Sequence, residues 1–240
     1  MNADQALPGR FLTAVHTRMR KMMDQETFRP LLPLALEVRA AIGRFRQRRF
    51  QPTGKPVYLN LGSGHDHFPG FFGVDLFGSG AELEVDLRRP LPIDDNVAAG
   101  IFSEHAFEHL SYGTVAALLR ESHRVLVAGA QIRVIVPDVS IFVDRYVNKD
   151  EQWFDEWERQ VLAPRGRRLQ TKMEAISFVT QEFGHTSCWD FETMKHFLQE
   201  AGFDDVRQVG FRLGSTPELL VDSSAPDRTM LSLYVEARKP

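Results

Sequence analysis

An α/β fold with a mostly parallel, Rossmann-like sheet is what this sequence predicts, and three observations predict it. Several apolar runs each end on a polar residue, a glycine pair follows the first of them, and a helix-period segment separates two later runs. In open sheets of this kind ligands gather beyond the carboxyl ends of the strands. The polar ends therefore mark one crevice.

The first run, Val57-Tyr58-Leu59-Asn60-Leu61, leads into Gly62-Ser63-Gly64. Glycines there let the backbone turn tightly and approach a ligand closely. The second, Gly73-Val74-Asp75-Leu76-Phe77, carries an acid suited to accept hydrogen bonds from a ribose. A dinucleotide site calls for Gly-x-Gly-x-x-Gly and an acid roughly 20 residues on. Here His67 holds the third glycine's place, and Asp75 follows Gly62 by only 13 residues. No Gly-x-x-x-x-Gly-Lys phosphate loop occurs. A cofactor with a ribose and no phosphate suits this spacing better, and S-adenosylmethionine is the common one.

Residues 82–85 then run into Asp86-Leu87, residues 98–102 into Ser103-Glu104-His105, and residues 131–136 into Pro137-Asp138. Val115, Leu118, Leu119, Ser122, Val125 and Leu126 keep helical spacing after the cap residues Ser111 and Thr114. Asp190 is placed to cap a helix over 191–201 that stops at Gly202. Residues 203–209 and 230–236 read as the last two strands, with a loop over 214–227 between them. Asn60 to Gly64, Asp75, Asp86 and Ser103 to His105 would thus line a shared cleft.

These segments together resemble a class I S-adenosylmethionine-dependent methyltransferase. The similarity is greatest to a bacterial group associated with surface-polysaccharide assembly. It rests on Leu59 to Leu76, Asp86 to Leu110 and Gly184 to Phe203, and spans roughly residues 56–237. The resemblance implies a sheet of seven strands or fewer with an antiparallel C-terminal strand. It also implies S-adenosylmethionine as cofactor, S-adenosylhomocysteine as product, and a small-molecule or sugar-linked acceptor, by preference a hydroxyl. Asp75 and Leu76 would meet the ribose, Asp86 and Leu87 the adenine edge, and Asn60, Gly62, Ser63 and Gly64 the methionine part. Ser103, Glu104 and His105 would edge the adenine pocket. Two departures stand out: the third glycine is missing, and the link between the first two strands leaves little room for the usual first helix. Ala98-Ala99 also replaces the acidic-aromatic pair usual in the group.

In-line displacement at a sulfonium methyl releases a neutral sulfide, so the protein mainly positions the nucleophile. A hydroxyl acceptor also needs a base, and a histidine with pKa near ~6.5 suits that task. The candidates are His105, His185 and Asp138, with His109 less favoured; the plainer role for His185 is to pin its loop. Two other functions compete: a non-catalytic cofactor-binding scaffold, and a nicotinamide-dependent oxidoreductase, which the glycine and acid spacing oppose.

His105-Ala106-Phe107-Glu108-His109 matches a His-x-x-Glu-His zinc pattern. That reading needs both histidines on a helix face and a further ligand downstream. With His105 at a strand end and no Glu-rich helix to complete the set, no metal is expected. His65 and His67 read as polar loop groups. The single cysteine, Cys188, excludes an intramolecular disulfide or a cysteine-rich zinc module and reads as a packing residue.

The chain has 240 residues, 43% hydrophobic and 25% charged, as expected of a globular α/β domain with extensions. No signal peptide is evident, and no apolar run nears the roughly 20 residues of a membrane span. A cytoplasmic location follows as the expectation. Residues 1–50 hold 10 basic and 4 acidic residues, whereas the rest is net acidic. The division is a basic amphipathic helical extension over 1–52 and a catalytic domain over 53–240, with a helical substrate-side insertion over 139–185. In the extension Leu12, Val15, Met19 and Met22, and then Leu34, Val38, Ile42 and Phe45, keep helical spacing. Docked helices with a solvated basic face are the plain reading, and an anionic contact, with lipid at the membrane's inner face or with an acidic glycan, is the sharper one. Nucleic acid is not expected, because aromatic residues do not interleave with the basic ones. In the insertion, Trp153, Phe154, Trp157, Val161 and Leu162 form an apolar stripe followed by an arginine-rich loop. Packing and sugar contact explain that stripe equally well.

Overall fold

Seven strands form one sheet: β1 (Val57–Leu61), β2 (Phe71–Asp75), β3 (Leu83–Glu84), β4 (Ala98–Glu104), β5 (Leu126–Pro137), β6 (Asp204–Val209) and β7 (Ser232–Arg238). The computed structural model describes residues 32–46, 56–76 and 78–240. Sheet order is β3-β2-β1-β4-β5-β7-β6. Strands β1 to β5 pair in parallel, and β7 runs antiparallel between β5 and β6. This is the mostly parallel, Rossmann-like sheet with an antiparallel C-terminal strand that the resemblance implies. The chain works outward from β1 to β2 and β3, then returns to place β4 on the other side of β1. Strand order therefore reverses between β1 and β4, the point at which ligands bind in open α/β sheets.

The two sheet faces are covered differently. On one lie helices α2 (Tyr112–Val125) and α6 (Phe191–Glu200). Ser111 caps α2 by accepting from Thr114 N, and Asp190 caps α6 by accepting from Thr193 N at 2.8 Å. Val115, Leu118, Leu119, Met194 and Leu198 bury their side chains against Leu59, Leu61, Ile101 and Val134. The chain leaves α6 at Gly202, whose φ of +96° suits glycine. On the other face Phe102, Ile135, Leu219 and Tyr234 pack with Tyr58, Phe68, Phe71 and Phe211. Loops cover this face, because residues 62–70 link β1 to β2 without a helix.

Arg133 on β5 fastens that loop cover. It is fully buried and pairs with Asp222 (2.8 and 2.5 Å) and Glu236 (2.9 Å). It also donates to the carbonyls of Leu213 and Gly210, both at 3.0 Å.

Between β5 and α6 the insertion carries α3 (Val139–Val147), α4 (Glu151–Trp157) and α5 (Met173–Gln181). Its apolar stripe is core: Phe154, Trp157, Val161 and Leu162 are buried with Phe142 and Phe178. The arginine run is not a loose loop. Arg165 pairs with Asp227 at 2.6 Å, Arg167 with Glu182 at 2.5 Å and Lys172 with Asp155 at 2.9 Å, around a turn at Gly166 with φ +71°.

Helix α1 (Leu32–Arg46) forms where the spacing of Leu34, Val38 and Ile42 predicts it. Its docking face differs from the expectation. Those three residues are exposed, while Ala40 and Gly43 are buried. The small side chains let α1 approach closely, and Glu37 and Arg39 bind it to the domain. The expected helix over Leu12 to Met22 lies outside the described residues, as does the side chain of Phe45. Among the described residues, no helix is long and apolar enough to cross a membrane.

Candidate functional site

At the reversal point the loops after β1, β3 and β4 meet on one glycine. Gly62 has φ +74°; a Cβ there would lie 2.3 Å from Ala106 Cβ and 3.9 Å from Leu87 Cδ1. Only glycine fits that position. Two residues on, Gly64 has φ +55° and nothing within 4 Å of its Cβ position, so this side of the loop is open. Gly64 N donates to Asp75 Oδ2 at 2.6 Å, and Leu76 N donates to Asp75 Oδ1 at 2.5 Å. The acid ending β2 is thus tied to the glycine loop. Ser63 Oγ is buried over Gly73 and makes no hydrogen bond among the described residues. Asn60 is buried in β1, and Ser103 Oγ donates to Leu61 O at 2.8 Å.

Asp86 is also near this loop, but its carboxylate is committed to Arg88. It accepts from Arg88 N (3.1 Å), Nε (2.8 Å) and Nη2 (2.9 Å). Arg88 continues to the Glu37 carboxylate on α1, and the hydrogen bonds to Asp86 and Glu37 raise its pKa above the ordinary value. Arg39 donates to Leu76 O at 3.3 Å; burial lowers its pKa, against the pull of Asp75 and Glu84. Helix α1 therefore lies across the ends of β2 and β3. Sequence reasoning missed this cover, since nothing local to Glu37 or Arg39 signals a partner some 40 or 50 residues away.

Two residues expected at the adenine pocket point elsewhere. Glu104 accepts from Ser223 N at 3.2 and 3.3 Å. Burial pushes its carboxyl up to about 7, against the pull of Arg228. His105 has a left-handed backbone, φ +51°, which turns its ring from β1 toward β7. There its Nε2 lies 2.7 Å from Ser232 Oγ.

The other His105 nitrogen faces a second centre. Glu108, on the 3-10 turn Phe107–His109, is buried to 1% exposure. Its Oε1 lies 3.3 Å from His105 Nδ1, 4.0 Å from His109 Nε2 and 4.0 Å from His185 Nε2. Neither Glu108 oxygen completes a hydrogen bond among the described residues. Burial alone would raise the Glu108 pKa, but the close approach of His105 first, and then His109 and His185, outweigh it and hold it at about 2. Burial lowers the pKa of His105 and of His185. The backbone brings His185 here: Thr186 N and Ser187 N donate to Glu108 O at 2.7 and 3.2 Å. Tyr112 Oη also donates to Cys188 O at 2.5 Å. His185, which no spacing rule ties to the His-x-x-Glu-His segment, thus lies beside it. Ligand atoms of Glu108, His109 and His185 all lie within 4.8 Å of one another.

Asp138, the third expected catalytic group, caps α3. It accepts from Ser140 N at 3.0 Å and Ser140 Oγ at 2.5 Å, and burial raises its pKa. His65 donates to Ser79 O at 2.7 Å and His67 lies 3.5 Å from Glu82, both holding loops.

No protein-family model matches the chain, and no curated protein matches it. Solved structures do. An S-adenosylmethionine-dependent methyltransferase from Archaeoglobus fulgidus is 17% identical, with 84% of this chain and 93% of that one covered, at a TM-score of 0.45. One from Thermotoga maritima is 14% identical, covering 94% and 99%, at 0.44. A phosphoethanolamine N-methyltransferase from Haemonchus contortus, solved with S-adenosylmethionine, is 15% identical, covering 80% of this chain, at 0.44. This chain spans only 50% of that enzyme, and 51–67% of three further matched proteins. At such identities and TM-scores the likenesses carry no functional argument. The functional case rests on the geometry.

Proposed function

We propose that the chain is an S-adenosylmethionine-dependent methyltransferase acting on a hydroxyl of a small or sugar-linked acceptor. The observation that carries this reading is the reversal of strand order between β1 and β4, with the Gly62–Gly64 loop and Asp75 tied together at its mouth. The open side of Gly64, the unpartnered Ser63 hydroxyl and an acid closing β2 fit an adenosyl group with no phosphate to hold. When bound, the cofactor supplies an electrophilic methyl on a sulfonium. The chain's own residues do the rest. Asp75 exchanges its loop hydrogen bonds for ribose hydroxyls, and the Gly62–Gly64 backbone lines the methionine arm. Through Arg39 and Arg88, α1 shields the ribose and adenine side from water. Among the acidic and imidazole groups beyond β4, Glu104 joins burial to a pKa of about 7, which suits it to take a hydroxyl proton near neutral pH.

Calorimetry tests the reading. S-adenosylmethionine should bind and NAD should not. Asp75→Ala should weaken cofactor binding by about 1–3 kcal/mol through lost charge-assisted hydrogen bonds. Unchanged affinity in that variant would remove the ribose assignment. Binding with no transfer of labelled methyl to any sugar, nucleotide-sugar or lipid-linked glycan would favour a silent scaffold.

A further inference from the structure

We propose that Glu108, His109 and His185 form a binding site for a divalent transition-metal ion of the zinc class. The inference goes beyond methyl transfer and does not need it. Three features carry it, all geometric.

The first is the tautomer of His185. Its Nδ1 lies 2.8 Å from Val179 O, and a carbonyl can only accept, so Nδ1 carries the hydrogen. In the neutral ring Nε2 then holds a lone pair, and that lone pair lies 4.0 Å from Glu108 Oε1. Two acceptors face each other. An imidazole whose far nitrogen donates to a backbone carbonyl is also the usual posture of a metal-bound histidine.

The second is the carboxylate. Both Glu108 oxygens are buried, and neither completes a hydrogen bond among the described residues. Leaving a buried carboxylate oxygen unsatisfied is costly, and a cation removes that cost. The carbonyl of the same residue is engaged as well, since Glu108 O accepts from Thr186 N and Ser187 N. The segment carrying His185 is thus fixed to the residue it would join in ligation.

The third is access and span. His109 is 39% exposed at its side chain, which gives an ion a path from solvent to the buried carboxylate. The three ligand atoms lie within 4.8 Å of one another. A tetrahedral zinc ion with bonds near 2.0–2.1 Å needs about 3.3 Å between donors, so side-chain rotation of an ångström or so closes the site. Two imidazoles and one carboxylate favour zinc, cobalt, iron or manganese over calcium, which takes oxygen ligands. Three protein ligands leave a position open, as in catalytic zinc sites. His105, with Nε2 at Ser232 Oγ and Nδ1 toward Glu108, is a positioning residue for the carboxylate.

The test uses tag-free full-length chain, stripped with a chelator and titrated with Co²⁺ followed by visible ligand-field absorption. One Co²⁺ per chain should bind, with bands of a nitrogen–oxygen site, and Zn²⁺ should displace it. Losing even an outer partner of a metal ligand costs about 10–100-fold in affinity, so His109→Ala should weaken Co²⁺ binding by at least about tenfold. The isosteric Glu108→Gln should do the same while a thermal melt shows the fold intact. A His65→Ala/His67→Ala variant should bind Co²⁺ like the parent. Absence of bands, or bands unchanged in His109→Ala, overturns the site and leaves an imidazole–carboxylate cluster. Cofactor calorimetry on the same protein reports separately on the methyl-transfer reading, so failure of one is distinguishable from failure of the other.

Discussion

The two sides of the strand-order reversal are built in opposite ways. On the β1–β3 side every described carboxylate at the strand ends is satisfied from nearby sequence, Asp75 by Gly64 and Leu76 and Asp86 by Arg88. On the β4 side Glu108 is buried without a completed hydrogen bond, and besides the neighbouring His105 and His109 one of the groups that face it, His185, comes from 77 residues on. A buried charge is not by itself a mark of function. Arg133, Asp222 and Glu236 are as deeply buried as Glu108, yet each of them is paired and together they hold a loop onto the sheet. The difference between the triad and Glu108 lies in satisfaction, not in burial. A network closed on itself serves structure, whereas an open one leaves a place for the proposed ion.

The sharpest way to break that contrast is at the closed network. Arg133→Leu leaves Asp222 and Glu236 buried without their cation, and removing one partner of a buried ion set costs about 3–5 kcal/mol. Urea unfolding should show a loss of that size. A loss within experimental error would mean the triad is not the closed framework described, and the comparison with Glu108 would lose its reference.

Next in size is the pair of glycines in the β1 loop. Gly62→Ala combines a left-handed backbone with a methyl 2.3 Å from Ala106 Cβ, so something must shift. Backbone strain of this kind costs about 1–3 kcal/mol before the clash is counted. Gly64→Ala meets open space and should cost only about 1–2 kcal/mol, from its backbone alone. Thermal melts of the two variants order them. If Gly64→Ala were the more damaging, the three loops would not meet at Gly62.

The same asymmetry explains what the sequence disclosed. The positions of the strands, the Ser111 and Asp190 caps and the Gly62-to-Asp75 cluster are short-range features, set by period, cap chemistry and glycine conformation. They were legible because cause and effect lie within a few turns of chain. Helix α1 was legible as a helix, but not its docking face. Its apolar period pointed to Leu34, Val38 and Ile42, and the contact is made by Ala40, Gly43 and ion pairs. The aromatic stripe of the insertion has the period of a helix face whether it packs or binds, so periodicity could not decide, and burial did. The His-x-x-Glu-His segment was visible, but its partner His185 is delivered by tertiary hydrogen bonds from Thr186 and Ser187 to Glu108 O. No spacing rule encodes those.

The smallest expected effect sharpens the boundary between the two sides, where Glu104 ends β4. Its carboxyl titrates near 7 in the fold against an ordinary value of 4.5, chiefly because it is buried. The folded state therefore holds the proton that the unfolded chain releases. The resulting stability is fully present below about pH 4.5 and is lost as pH rises through about 7. Glu104→Gln keeps an acceptor for Ser223 N but cannot ionise. Relative to this variant the parent should lose stability between pH 4.5 and 7, on the order of 1 kcal/mol once partial exposure is discounted. Urea curves at matched pH values measure the difference, which isolates Glu104 from other titrating groups. If the two proteins track each other across that window, Glu104 ionises freely. Its suitability as the proposed proton acceptor then fails with it.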